Sequence, residues 1–184
     1  MAGGALEEAY GTGRTQVTAT ALGHRGCAMP NGIQDDGMTR NKNLGNAGEF
    51  YVLAQLAQLG YVAGKTDDGQ TLIDVIATDP ETLRTVNIQV KATTDERHAP
   101  QWLMSAKNEQ VFESLWYVLV ALREPSTMPR FYVFHSGEIG PWLQADHRDW
   151  LAGGEDRKDS NLRRFRPTPG ELEHHENKWW RMFA

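Results

Sequence analysis

The sequence predicts an α/β domain with a mixed central sheet of about four to five strands flanked by helices, and three observations carry that prediction. Two runs of mostly apolar and β-branched residues, Leu72 to Thr78 and Val86 to Ala92, flank the turn-forming cluster Asp79-Pro80-Glu81-Thr82, the pattern of an antiparallel hairpin. The run Leu115 to Leu122 (LWYVLVAL) is continuously apolar, as in a strand covered on both faces. Between Gly45 and Leu59 the apolar residues Tyr51 or Val52, Leu53, Leu56 and Leu59 recur every three to four positions, as on an amphipathic helix.

Length and composition set the bounds. A chain of 184 residues has mass for one domain with one proper core. Its 40% hydrophobic and 23% charged residues are those of ordinary globular material. No apolar run reaches the ~20 residues of a membrane span, and no basic-then-apolar leader marks the chain for secretion. Cys27 is the single cysteine, so an internal disulfide framework is excluded and a reducing, cytoplasmic setting is expected. The net charge of −5 excludes a protein that coats nucleic acid by bulk electrostatics; contact with nucleic acid would need a local patch.

In chain order, residues 1–37 show no sustained period and are rich in Gly, Ala and Thr; they read as a poorly ordered leader. Cys27 with His24 in this leader is either a nucleophilic pair or part of a bland tail. Met38 opens the patterned sequence and is an alternative start, and residues 38–184 read as one domain. The helix from Gly45 to Leu59 has Asn46 as candidate N-cap, Glu49 three residues on as its capping-box partner, and Gly60 as its stop. Glu49 has two readings: it caps the helix, or it leans over the hairpin as a further acid. Gly48 beside it leaves room for another backbone or a phosphate.

Tyr61 to Gly64 reads as a short first strand. Asp67 and Asp68 in the following loop form a turn or bind a cation. The hairpin comes next, and it holds residues a plain core would not choose: Asp74, Gln89 and Lys91. A hairpin centred on Glu81 and Thr82 sets Asp74 across from Gln89 and Lys91, which share one strand face while Ile88 and Val90 point the other way. Burying a carboxylate, an amide and an ammonium together costs several kcal/mol unless they satisfy one another or a ligand. The cluster is either a site or a buried Asp74–Lys91 ion pair with Gln89 hydrogen-bonded beside it, and such pairs are rarely favourable for stability alone.

Thr93 to Gln101 reads as a polar connector, Lys107 to Ser114 as a short helix, Arg130 to His135 as a strand beside Leu115 to Leu122, and Trp142 to Leu151 as an amphipathic helix ended by Gly153-Gly154. The segment Asp156 to Arg166 concentrates Arg157, Lys158, Arg163, Arg164 and Arg166. It is either a solvated loop or a surface that grips phosphates and stacks a ring of Phe165 on a sugar or base. His174-His175 lacks the spacing and partners of a zinc site. Trp179, Trp180, Met182 and Phe183 are expected to dock the C-terminus onto the core.

Gly48-Glu49 on an opening helix, then Ile73-Asp74, then Gln89-Val90-Lys91 on the next strand resemble the PD-(D/E)xK nuclease superfamily, and within it the restriction-endonuclease-like and Holliday-junction-resolvase-like proteins. The match runs from Asn41 to His135. The resemblance implies a restriction-endonuclease-like core and a Mg²⁺-dependent DNA endonuclease acting in restriction, repair, recombination or mobile-element processing, with Mn²⁺ as a substitute ion. It makes Asp74 the metal-ligating carboxylate, Gln89 the occupant of the place where the family usually has a second acid, Lys91 the family's lysine, the Val90 carbonyl a further ligand and Glu49 the helix acid. Ile73 stands where the motif has proline, and Gln89 removes one negative charge from the metal site. A decayed nuclease fold that binds nucleic acid or a protein partner is the alternative. DNA is the implied partner, and a homodimer is an option for an enzyme that cuts both strands.

Overall fold

The structure, a computed structural model, describes residues 37–67, 72–94 and 100–184; the expected leader lies outside the described residues. Helix α1 (Gly37–Gln58) is followed by β1 (Val62–Lys65), β2 (Val75–Thr78), β3 (Thr85–Thr94), β4 (Trp102–Ser105), a 3-10 turn at Ala106–Glu109, β5 (Leu115–Leu122), β6 (Arg130–His135), α2 (Ser136–Ala152), β7 (Leu162–Phe165), α3 (Pro169–His175) and a last 3-10 turn at Trp179–Met182. The main sheet is mixed and five-stranded in the order β1-β2-β3-β5-β6. Only β3 and β5 run parallel; the other neighbours are antiparallel. No described helix is long and apolar enough to cross a membrane.

The hairpin forms as its sequence demands. β2 pairs with β3 in the register Val75↔Ile88 to Thr78↔Thr85. The Asp79 carboxylate organises the loop by accepting from the Glu81 N–H at 2.9 Å and the Thr82 hydroxyl at 2.8 Å, and Leu83 closes it at φ 58°.

Alternation along β3 divides the molecule. Val86, Ile88 and Val90 pack with Val52 and Leu56 of α1 and with Val118 and Val120 of β5. The opposite sheet face carries Tyr117, Leu119, Tyr132 and Phe134 against Ile139 and Leu143 of α2, with Trp102 and Phe165 from a small second sheet of β4 and β7. β5 is buried along nearly its whole length, as its unbroken apolar run requires.

Several boundaries differ from expectation. α1 begins at Gly37, so Asn46 lies inside the helix and caps nothing. Its C-terminus does stop at Gly60, whose φ is +90°: Gly60 N–H donates to the Ala57 carbonyl and Tyr61 N–H to the Leu56 carbonyl, the paired bonds of a Schellman end. Lys107–Ser114 is not a helix; one 3-10 turn ends at Glu109. α2 starts at Ser136, ahead of the expected Trp142, and carries Pro141 within it. The Gly-Pro run hides that start, but His135 accepts from Gly137 N–H at 3.1 Å and Glu138 accepts from His135 N–H at 2.7 Å, a reciprocal cap that holds it. The basic segment, read as a loop, contributes β7, which pairs with β4. At the C-terminus Trp179 and Met182 are buried and Phe183 stacks on Tyr61 at 4.2 Å. Trp180 instead faces outward, 62% exposed.

Candidate functional site

The hairpin places Asp74 at the edge where β2 gives out. Asp74 lies one residue before the ladder; its N–H donates to the Ile88 carbonyl at 2.9 Å, and its Oδ2 accepts from the Val90 N–H at 2.7 Å. N–H and C=O of one strand residue face the same neighbour. The Val90 carbonyl therefore opens toward the same edge as its N–H, beyond the start of β2.

Glu49 reaches this edge from α1. The helix approaches β3 closely at Gly48, where an added Cβ would stand 2.7 Å from the Ala92 Cβ. The neighbour that needs the missing side chain is thus a strand. Because Asn46 is internal to α1, Glu49 has no capping role; its Oε2 stands 2.9 Å from Lys65 Nζ on β1. That oxygen is buried and the contact lacks hydrogen-bond geometry. Glu49, Lys65 and Asp74 line one cavity of about 320 Å³ together with Lys42, Gly45, Asn46, Thr66 and Asp67.

The electrostatics tie Lys91 to the same group. Burial pushes the Lys91 ammonium down from its ordinary value, against the pull of Asp74 and Glu49. Burial likewise pushes the Asp74 carboxyl up, opposed by the Val90 N–H and by Lys91 and Lys65, and reinforced by Glu49. Burial thus drives both groups toward their neutral forms, against the attraction between them. Glu49, Asp74, Lys65 and Lys91 sum to no net formal charge when ionised.

Gln89 is 5% exposed and takes part differently from expectation. Its Oε1 accepts from Asn108 Nδ2 at 2.6 Å, and the same Nδ2 lies 3.2 Å from the Tyr117 hydroxyl. Neither Asn108 nor Lys65 stood out in the sequence. Lys65 becomes visible only once β1 is paired with β2, which sets it beside Val75. Asn108 is one amide in a polar turn and gives no periodic signal.

The donor set suits a hard cation. Asp74 and Glu49 supply carboxylate oxygens, the Val90 carbonyl adds a third, and Mg²⁺ keeps several waters beside one or two carboxylates. The buried Glu49 Oε2 without a hydrogen bond is an oxygen that such an ion would satisfy. Among the described residues no cluster of three or more His, Cys, Asp or Glu could hold a metal, so an ion here depends on those two acids and the backbone.

The basic segment is dispersed. Arg163 is buried and held by Glu109. Arg166 pairs with Asp146 at 2.8 Å. Arg157 bonds the Trp150 carbonyl and lies over the Trp150 ring, 5.3 Å from its centroid. Lys158 and Arg164 are exposed. A cavity of about 290 Å³ is lined here by Trp150, Ser160, Arg163, Arg164 and Arg166 with Asp146 and His147. The expected five-cation surface thus presents fewer unengaged charges than its sequence suggests.

No protein-family model matches the chain, and no curated protein matches it. Solved structures similar to it include the following two. One is a bacterial homing endonuclease, 14% identical with a TM-score of 0.44 over 75% of this chain and 87% of that one. The other is a Holliday junction resolvase from the archaeal hyperthermophile Archaeoglobus fulgidus, 12% identical with a TM-score of 0.38 over 67% of this chain and 89% of that one.

Proposed function

We propose that this chain is a Mg²⁺-dependent DNA endonuclease whose site is the Glu49, Asp74, Lys91 cluster at the open edge of β3. The observation that carries the reading is the buried Glu49 Oε2, which makes no hydrogen bond although it faces Lys65, in a cavity that Asp74 also lines, with the Lys91 ammonium near enough to feel both acids. Burial of charge at that cost fits a site completed by ligands.

Asp74 and Glu49 would hold the ion, with the Val90 carbonyl beside them. A divalent ion bound there supplies positive charge to the phosphodiester and lowers the pKa of a water. Hydrolysis joins that water's oxygen to phosphorus, breaks one phosphorus–oxygen ester bond and leaves a proton for the departing oxygen. Lys91, drawn toward neutrality by burial, either orients the water and takes its proton or donates to the phosphate as negative charge grows. Lys65 holds Glu49 in place until the ion arrives. DNA would run across the α1 edge, and the exposed Arg164 and Lys158 with Trp150 offer a more distant phosphate contact.

The test is purified protein incubated with supercoiled, linear, single-stranded and branched DNA in Mg²⁺, Mn²⁺ or chelator. Divalent-dependent cleavage supports the proposal. Salt-dependent binding that is never followed by cleavage, and that is lost in Arg164→Glu, supports the decayed-fold alternative and overturns it.

A further inference from the structure

Asn108 is polar yet 1% exposed, and its two amide ends have different partners. Its Oδ1 accepts from the Ser105 backbone N–H at 2.8 Å and lies 3.2 Å from the Ser105 hydroxyl. A backbone N–H can only donate, so the opposite end of Asn108 must be its NH₂. That NH₂ faces Gln89 at 2.6 Å, where only an acceptor is compatible. The polarity set at Ser105 is therefore passed through Asn108 to Gln89. Turning the Gln89 amide round would place two NH₂ groups against each other in a buried contact.

The consequence is chemical. The Gln89 oxygen is directed to Asn108, and Nε2 is the end left over, with no acceptor among the described residues. Gln89 shares its strand face with Lys91, and Asp74 stands across the ladder with its carboxylate on the Val90 N–H. We infer that Gln89 acts in this site as a hydrogen-bond donor to a phosphate oxygen and not as an oxygen ligand to the metal, and that Asn108 is the positioning residue that fixes this polarity. The inference rests on the nuclease reading above. It reverses the role expected for position 89: the amide does not substitute for an acid's oxygen but joins Lys91 in facing the phosphate, leaving the ion to Asp74, Glu49 and the Val90 carbonyl.

The experiment is calorimetric Mn²⁺ titration of the full chain without DNA, paired with binding of a duplex oligonucleotide in Ca²⁺. Gln89→Ala is expected to keep the wild-type Mn²⁺ affinity within twofold and to weaken oligonucleotide binding, while Asp74→Asn loses Mn²⁺. Asn108→Asp keeps an acceptor for Ser105 and offers Gln89 an acceptor in place of a donor. The Gln89 amide then turns its oxygen to the site, and Mn²⁺ should bind about tenfold more tightly. In Gln89→Ala/Asn108→Asp that gain should vanish, which separates a turned amide from the added negative charge. Near-ultraviolet circular dichroism checks that each variant is folded. A Gln89→Ala that loses Mn²⁺ as Asp74→Asn does, or an Asn108→Asp whose affinity is unchanged or whose gain survives Gln89→Ala, overturns the inference and leaves the metal centre standing. Mn²⁺ binding indifferent to Asp74→Asn overturns the metal centre and this inference with it.

Discussion

Asp74 and Glu138 are both carboxylates set partway into the fold, and their surroundings drive them in opposite directions. Burial raises Asp74, and the Val90 N–H and the nearby lysines do not offset it. Burial would raise Glu138 as well, but the hydrogen bond to His175, the His135 N–H and Arg181 hold it below its ordinary value. Its Oε1 lies 3.0 Å from His175 Nε2 and 2.9 Å from Arg181 Nη2, and its Oε2 lies 2.7 Å from His135 N. One residue thus joins the cap of α2, α3 and the C-terminal turn. Glu138 is a finished structural joint. Asp74 has the Val90 N–H on its Oδ2, and on the function proposed above that difference would separate a carboxylate that holds the fold from one kept for a ligand.

Substitutions that remove each acid should break the comparison most sharply. Asp74→Asn is expected to lower plasmid cleavage about 10³-fold, since a metal-borne interaction of several kcal/mol is lost. In chelator it should melt at or above the wild-type temperature, because the buried charge it removes was a cost. Lys91→Ala should slow cleavage about 10²- to 10³-fold, with far-ultraviolet circular dichroism unchanged.

Gly48→Val places a Cβ 2.7 Å from Ala92 and pushes α1, with Glu49, off β3. A loss of about 1–3 kcal/mol in urea unfolding and partial loss of cleavage are expected together. Glu138→Gln should cost about 1–2 kcal/mol, discounted for its partial exposure, and leave cleavage per folded molecule unchanged.

The smallest effect is in pH. The folded value of Glu138 lies below its ordinary 4.5, so its stabilising contribution is fully present above that ordinary value. It is lost as pH falls through the lower folded value. The stability gap between wild type and Glu138→Gln should be constant from about pH 7 to pH 5 and narrow below about pH 4.

The same contrast explains what the sequence disclosed. That Asp74 lies across from Gln89 was legible because a two-residue alternation and a centred turn fix the register of a hairpin. The apolar strands β5 and β6 were legible from their runs. Glu138 was not, since its partners His175 and Arg181 lie 37 and 43 positions away and no local period links them. Lys65 and Asn108 were missed because each acquires meaning only through its tertiary partner, Glu49 for Lys65 and Gln89 for Asn108. β4 and β7 escaped because they pair with each other across a long stretch of chain with no turn between them to mark a hairpin, and the basic composition of β7 resembles a loop.

The direct test of a ligand-seeking Asp74 is side-by-side conversion of supercoiled plasmid in Mg²⁺ by wild type, Asp74→Asn and Glu138→Gln, each at a temperature where it is folded. Nicking by wild type and Glu138→Gln, with none by Asp74→Asn and none in chelator, is the predicted result. Equal nicking by Asp74→Asn, or nicking that persists in chelator, would contradict it.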